Sequence, residues 1–106
     1  MIRHWKLAPD GRTPIPCDDA MEWGRWFEDA DRVVFQTQVG PYQVSTVFLG
    51  LDHSFHEGGL PVLWETMVFG PQDDEMMTRY TSYDDAIAGH AMTLLTIMER
   101  YDGESK

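Results

Sequence analysis

The stretch that decides the fold runs from Val44 to His90 and reads VSTVFLGLDHSFHEGG, LPVLWETMVFG and, after an acidic connection, RYTSYDDAIAGH. The first two segments are rich in β-branched and aromatic residues and have the length of strands. The third segment opens a helix. Acids and histidines lie directly beside these apolar runs, which indicates a polar site, although their spacing matches no known catalytic motif.

Three strands are predicted around this stretch. RVVFQTQV (32–39) and YQVSTVFLGL (42–51) are separated only by Gly40 and Pro41, a gap that favours an antiparallel hairpin. PVLWETMVFG (61–70) is the third strand, and PQDDEMM after it is an exposed connection. Near the N-terminus, RHWKL has the alternation of a further short strand, which the turn signals of PDGRTPIP end.

Two helices complete this prediction. Asp18 or Asp19 can cap a helix through about Ala30, in which apolar residues recur at helical spacing. Ser82, with Asp85 three residues later, resembles a capping box and opens a second helix through about Arg100. The stripe of this helix that should lie on the sheet consists of Tyr83, Ile87, His90, Leu94, Ile97 and Tyr101.

These elements predict an α+β fold, with an antiparallel sheet of three or four strands packed by a C-terminal helix and an acidic N-terminal helix. Both faces of the third strand are apolar, so the sheet should be covered on both sides, by two helices or by one helix and a partner subunit. Glu65 on this strand is then partly buried and needs a partner, for which Arg32, Arg79 and a histidine are the candidates.

Length and composition favour one domain. A chain of 106 residues with 42% apolar residues can bury a core, and a protein of this size gains from association, so we expect a homo-oligomer, with a dimer favoured. No apolar run reaches the roughly 18 residues of a membrane span, and no signal peptide is recognised, so we expect a cytoplasmic protein. The lone Cys17 cannot form an intramolecular disulfide or seed a thiolate zinc site.

The charge of the chain restricts its partners. With 18 acids and 8 bases the net charge is −10, and free nucleic acid is a poor partner because phosphate binding draws on clustered Lys and Arg. The acids concentrate in two stretches, which are either solvated faces or a surface complementary to a basic protein groove. The acidic interaction surface predicted from them consists of Asp18, Asp19, Glu22, Glu28, Asp29, Asp31, Asp73, Asp74 and Glu75.

His90 points toward the sheet, which leaves two interpretations. It is either a core histidine with hydrogen-bond partners or a ligand contact, metal ligand or proton carrier. Gly89 beside it lowers the helix propensity, which indicates that a neighbouring group approaches the backbone closely at this position. Tight packing of the helix on the sheet would explain the glycine without any ligand.

The loop after the second strand contains further polar residues. Asp52 lies near Glu65 if that strand extends to His53, whereas if the strand stops at Gly50 the loop must fold back to join them. His53 and His56, with Glu57 adjacent, form either a hydrated turn or a metal-binding loop. No nucleophile elbow or phosphate-binding glycine loop is found, and no cofactor is expected.

The runs VSTVFLGLDH, ETMVFG and RYTSYDDAIAGH resemble a family of short bacteriophage and prophage proteins with no assigned activity. The resemblance covers most of the chain, including the WKL opening and the DDAMEWGRWFE helix. It implies a phage setting, in which many small accessory proteins bind and disable a host factor. It also implies a common site or structural network at Asp52, His53, Glu65, Thr66, Arg79, Tyr80 and His90.

Hypotheses of function from different classes follow. The first is a small acidic phage-type accessory protein that binds and inhibits a host protein with a basic surface, such as a nucleic-acid-binding defence component, without contacting nucleic acid or membrane itself. The second is a small-ligand-binding or metal-dependent catalytic domain whose site collects Asp52, Glu65, Arg79 and His90. The third is an oligomeric structural component.

Overall fold

The computed structural model describes residues 3–54, 59–71 and 76–104. The predicted α+β class is confirmed, but the strands form two antiparallel sheets: β1 pairs with β2, and the remaining strands form a sheet of order β3-β4-β5-β6. In chain order the elements are β1 (Trp5–Leu7), β2 (Pro14–Pro16), α1 (Ala20–Asp29), β3 (Val33–Val39), β4 (Tyr42–Phe48), β5 (Trp64–Phe69), β6 (Met77–Tyr80) and α2 (Tyr83–Glu104).

The centre of the larger sheet follows the predicted strands. β3 and β4 form the expected hairpin, and Gly40 takes a positive φ of 56° in the turn, where glycine carries no steric penalty. β5 pairs with β4 along its whole length, from Gln43 opposite Phe69 to Phe48 opposite Trp64. The segment predicted as an exposed connection ends in β6, so its last residue, Met77, belongs to a strand.

The short second sheet was not predicted, because two prolines lie in the segment Pro14–Pro16. Proline cannot donate to a ladder, but it is tolerated on an edge, and β2 has only β1 beside it in the described part of the chain. The Thr13 hydroxyl and the Arg12 and Thr13 amides hydrogen-bond Asp10 in the connecting turn and lower its pKa to about 2. Trp5 N–H then donates to the Gly50 carbonyl, which joins this sheet to the end of β4.

Helix α1 forms as predicted but packs elsewhere. Asp19 is its N-cap, with a carboxylate oxygen that accepts from the Met21 and Glu22 amides. The helix does not lie on a face of the larger sheet. It contacts β1, where Trp23 donates its indole N–H to the Trp5 carbonyl, and Trp26 meets the edge of Phe48 at the end of β4. The expected packing of α1 on the sheet is therefore wrong, because its aromatic residues find partners at the sheet's end.

Helix α2 covers one face of the larger sheet and contacts all of its strands. The Asp85 amide donates to the Ser82 hydroxyl, so the predicted cap is present. The buried stripe consists of Ala86, His90, Thr93 and Ile97, while Ile87 and Leu94 are half-buried. It shares His90 and Ile97 with the predicted stripe but is rotated from it by about 50°, roughly a seventh of a turn. Tyr42, Val44, Val68 and Ile97 form the core under the C-terminal half of the helix.

The opposite face of the sheet carries no helix in the described part of the chain. Phe69 is 51% exposed and Met77 is 50% exposed on this face. Of the two predicted arrangements, cover by two helices is thus wrong for the described residues, because α1 is engaged with β1. Cover by one helix and a partner subunit stays a prediction. Alternation of apolar residues predicts that a face of a strand is buried, but it does not predict which element packs on that face.

Gly89 permits the close approach of α2 to β6. A Cβ at this position would overlap the ring and hydroxyl of Tyr80, which is itself hydrogen-bonded. The alternative of tight helix-on-sheet packing therefore explains this glycine.

Gly89→Ala should lower the free energy of unfolding by about 1–3 kcal/mol, because the displaced Tyr80 hydroxyl loses its partner, and this loss exceeds the roughly 1 kcal/mol that alanine adds to helix propensity. Gly24→Ala in α1 is the matched control, since a Cβ there meets nothing within 4 Å. We expect Gly24→Ala to stabilise by up to about 1 kcal/mol. Urea unfolding of both variants measures the difference, and a stabilised Gly89→Ala variant would contradict the assigned packing.

Candidate functional site

A chain of hydrogen-bonded side chains links α2 to every strand of the larger sheet. The Tyr80 hydroxyl of β6 donates to Thr66 Oγ1 of β5 at 3.0 Å. Thr66 bonds Thr46 of β4, and Thr46 Oγ1 lies 2.7 Å from His90 Nδ1. On the other side of the ring, His90 Nε2 lies 3.1 Å from Thr37 Oγ1 of β3. We call these five residues the hydroxyl–imidazole chain.

The hydrogens of this chain define the tautomer of His90. Thr66 is 1% exposed and already accepts from Tyr80, and no other acceptor for its own hydrogen is found in the described part of the protein, so it donates to Thr46. Thr46 must then donate to Nδ1, and the proton of the neutral ring lies on Nε2, which donates to Thr37. With Tyr80 donating to Thr66, each following hydrogen of the chain has an acceptor in this direction.

Burial lowers the pKa of His90 below its ordinary value of 6.5. His90 is 4% exposed, and the ring of Phe35 lies beside its imidazole with 5.7 Å between centroids. A charged ring would also donate from Nδ1, which would reverse the chain and remove the hydrogen bond that Tyr80 donates to Thr66. His90 is therefore a neutral core histidine with both ring nitrogens bonded.

Glu65 and Arg79 form an ion pair on the opposite face of the sheet. Arg79 Nε donates to Glu65 Oε2 at 3.0 Å, and the two residues are direct cross-strand neighbours on β5 and β6. Their side chains are 10% and 32% exposed, so Glu65 is the buried member of the pair. Of the partners predicted for Glu65, Arg79 is the one found.

Asp52 and His53 lie in the connection that follows β4. The Asp52 carboxylate accepts from the Ser54 and Val62 amides at 2.8 and 3.0 Å. Partial burial alone would raise the pKa of Asp52, but these amides, the Ser54 hydroxyl and the positive charge of Arg3 hold it below 3.8. His53 Nδ1 lies 2.8 Å from the Leu51 carbonyl and donates to it. Both residues shape the loop.

The predicted site residues thus occupy three places. Thr66, Tyr80 and His90 are joined on the α2 face, Glu65 and Arg79 lie on the other face, and Asp52 and His53 lie beyond the strand end. A pocket that collects Asp52, Glu65, Arg79 and His90 is not formed, because successive strand residues face opposite ways and β4 ends at Phe48, opposite Trp64.

Thr37 and Thr46 were missed as members of this network. Alternation places Thr46 on the same face of β4 as Val44 and Phe48, so a hydroxyl in a buried apolar row was the available signal. Its partner could not be found from the sequence, since the bond joins residues 44 positions apart.

Potential metal ligands are dispersed in the described part of the chain. No group of three or more His, Cys, Asp and Glu side chains there could hold a metal ion. His56 and Glu57 of the predicted metal-binding loop lie outside the described residues, as do Asp73, Asp74 and Glu75 of the predicted acidic surface.

The acids around α1 are all exposed. Asp19 caps the helix and Glu22 pairs with Lys6 at 3.4 Å, so these two have structural partners. The Val33 amide donates to Asp31, which leads into β3. The side chains of Glu28 and Asp29 make no hydrogen bond or ion pair with another described residue.

Comparison with protein-family models, with curated proteins and with solved structures finds no match to this chain. Across residues 3–54, 59–71 and 76–104, neither helix has both the length and the hydropathy that a membrane span requires. Any assignment of function therefore depends on the residues themselves.

The lowered pKa of His90 makes stability depend on pH. Below about pH 6.5 the unfolded chain binds a proton at this residue while the native protein does not. The free energy of unfolding should therefore be highest above pH 6.5 and decrease as the pH falls toward the native pKa of His90. Below that pKa it should no longer change through this residue. Each difference of one between the two pKa values corresponds to about 1.4 kcal/mol. Urea unfolding from about pH 8 to 5 measures the slope.

Nitrogen-15 NMR of the imidazole tests the same assignment independently. We expect the neutral ring to carry its proton on Nε2 and to titrate below 6.5. A proton on Nδ1, or a native pKa at or above the ordinary value, would overturn the donor directions assigned to the chain.

The two members of the Glu65–Arg79 pair should differ in their importance for stability. Arg79→Met leaves a carboxylate that is 10% exposed without its partner, so a loss of about 1–3 kcal/mol is expected. Glu65→Gln leaves Arg79, which reaches solvent, and should cost less than about 1 kcal/mol. Chemical unfolding of both variants at neutral pH compares them, and an equal or larger loss for Glu65→Gln would be inconsistent with this asymmetry.

Proposed function

We propose that the protein is a small acidic binding protein that docks on a basic surface of another protein through the C-terminal end of α1. The docking surface consists of Glu28, Asp29 and the following Asp31, and we call it the α1 acidic end. The observation that carries the proposal is the placement of Glu28 and Asp29, whose side chains are exposed and make no hydrogen bond or ion pair within the described chain.

Glu28 and Asp29 lie at the end of α1 where negative charge is unfavourable. The C-terminal end of a helix carries partial negative charge, so acids there are unfavourable by roughly 0.3–1 kcal/mol each and bases are preferred. The last turn of α1 contains no basic residue. Arg32, the nearest base beyond the helix, is engaged elsewhere, since its guanidinium lies 4.0 Å from the Phe27 ring centroid and donates to the Phe48 carbonyl at 3.1 Å. Glu28 and Asp29 therefore do not stabilise the helix, which favours a role in recognition.

The partner that fits this surface is a protein with clustered Lys or Arg. In the phage setting that the sequence resemblance implies, the partner is a host protein that binds nucleic acid, such as a defence component, and the carboxylates occupy the places of phosphates. Binding would inhibit that protein by competition. The net charge of −10 adds long-range attraction to a basic partner and opposes direct contact with nucleic acid. This proposal places the protein in the cytoplasm of the bacterial host.

The alternative of a ligand-binding or catalytic pocket has no comparable support. Its four residues lie in three separate places, and the hydrogen bonds of each give it a structural role there.

Neutralising the α1 acidic end should weaken partner binding without harming the fold. In Glu28→Gln/Asp29→Asn we expect the Kd to rise about three- to tenfold, mainly through slower association, since each rim charge contributes up to about 1 kcal/mol. The free energy of unfolding should stay constant or rise, because the substitutions remove negative charges that are unfavourable at the C-terminal end of a helix. Partners captured from bacterial lysate by the immobilised protein are identified, purified and measured by biolayer interferometry.

Asp84→Asn/Glu99→Gln on α2 is the matched control, with the same change in net charge at two other exposed acids. We expect its affinity to stay within about twofold of wild type, and all affinities to fall with added salt. The proposed surface is wrong if the affinity for the partner changes neither with the α1 substitutions nor with salt. It is also wrong if the α1 variant and the α2 control variant weaken binding equally.

A further inference from the structure

We infer that β3 and the adjoining flank of α2 form a contact surface for a second copy of this chain. We call it the β3 edge surface, and it consists of β3 together with Ile87, Ala91, Leu94 and Met98 of α2. It lies apart from the α1 acidic end and has the opposite electrostatic character. The inference does not depend on the proposed function.

The two edges of the larger sheet differ in how they are protected. Natural edge strands are usually short, charged, bulged or covered, because an open ladder pairs with other strands. β6 is short and carries Arg79. β3 spans Val33–Val39, has no charged residue and no proline, and is paired only with β4 in the described part of the chain. Its one irregularity is a register shift between Val33 and Phe35, so the remainder of the strand is a regular open edge.

The flank of α2 above this edge is apolar. His90 bonds Thr37 of β3, Tyr101 lies against Gly40 at the end of β3, and Gly89 faces Tyr80 of β6, which orients the helix over the sheet. At 100° per residue, the next positions on the β3 side are Leu94, Ile87, Met98 and Ala91. Met98 is 52% exposed, and Phe35 on the strand below is 48% exposed. Ala91 is also exposed and Ile87 and Leu94 are half-buried, so both the strand and the helix flank leave apolar side chains partly or fully open to solvent.

Charge identifies the occupant. No Asp, Glu, Lys or Arg lies between Arg32 and Asp52, or between Asp85 and Glu99, in a chain of net charge −10. A basic partner finds no carboxylate to pair with on the β3 edge surface. Two acidic copies repel each other over most of their surfaces, and here they can meet without opposing charges. Repulsion elsewhere is reduced by salt, since the Debye length is about 8 Å at physiological ionic strength.

A two-fold axis makes the surface complementary to itself. Antiparallel pairing of β3 with β3 of the second copy satisfies the open ladders of both and gives one continuous sheet. Both α2 helices then lie on the same face of that sheet with their β3 flanks toward each other, so Met98 and Phe35 of each copy become covered. Strand pairing and helix contact thus occur together in one interface.

Sedimentation equilibrium of the full chain from about 1 to 100 µM tests this interface. We expect a monomer–dimer equilibrium whose Kd decreases when NaCl is raised from about 50 to 500 mM, which is the reverse of the salt effect expected for a basic partner. Gln36→Glu on β3 and Met98→Glu on α2 should each raise the dimer Kd at least about tenfold, because the added carboxylates approach their symmetry mates.

Two control substitutions test whether the change in the dimer Kd is specific to the β3 edge surface. Gln43→Glu makes the same change on the interior strand β4, and Met92→Glu makes the same change on the other side of α2, where Met92 is 65% exposed. Both should alter the dimer Kd by less than about twofold. A chain that stays monomeric at every concentration and salt overturns the inference, and so does a dimer that is insensitive to Gln36→Glu and Met98→Glu or is weakened equally by the controls. Glu28→Gln/Asp29→Asn should leave the dimer intact, so failure of this inference is distinct from failure of the proposed function.

Discussion

The hydroxyl–imidazole chain is the interaction on which the larger sheet and α2 depend together. It places one hydroxyl from each strand under the helix and joins them through His90, so the strand order, the register and the position of α2 are tied to one set of bonds. Buried polar groups are costly when they are unpaired, and a shifted strand would leave at least one hydroxyl without a partner. The chain therefore favours one arrangement over other pairings of similar apolar strands.

The same requirement explains neighbouring features. Gly89 leaves room for the Tyr80 hydroxyl at the end of the chain, and Phe35 covers the outer side of the imidazole. Burial keeps His90 neutral, as the direction of the hydrogen bonds requires. A residue type that often performs catalysis has a structural role here because both of its nitrogens are already bonded.

The surface of the molecule divides by charge. Acids surround α1, where Glu28 and Asp29 interact unfavourably with the helix dipole, while the β3 edge surface contains no charged residue. A strongly acidic chain that leaves one long strand edge and one helix flank uncharged can associate in two ways without competition between them. The two associations respond oppositely to salt. Salt screens the attraction between this acidic chain and a basic protein, which weakens that complex, and it screens the repulsion between two acidic copies, which strengthens the dimer.

Periodicity and turn chemistry were sufficient to predict the β3–β4 hairpin, β5, the capped start of α2 and the burial of Glu65 beside a base, since each depends on residues near in sequence or on a face defined by alternation. Folding in three dimensions determined the rest. The prolines of β2 are tolerated only because that strand is an edge, α1 lies at the sheet's end because its tryptophans meet Trp5 and Phe48 there, and Thr46 reaches His90 across 44 residues. Local patterns specify which face of an element is apolar, whereas the partner of that face is chosen by packing among elements distant in the chain.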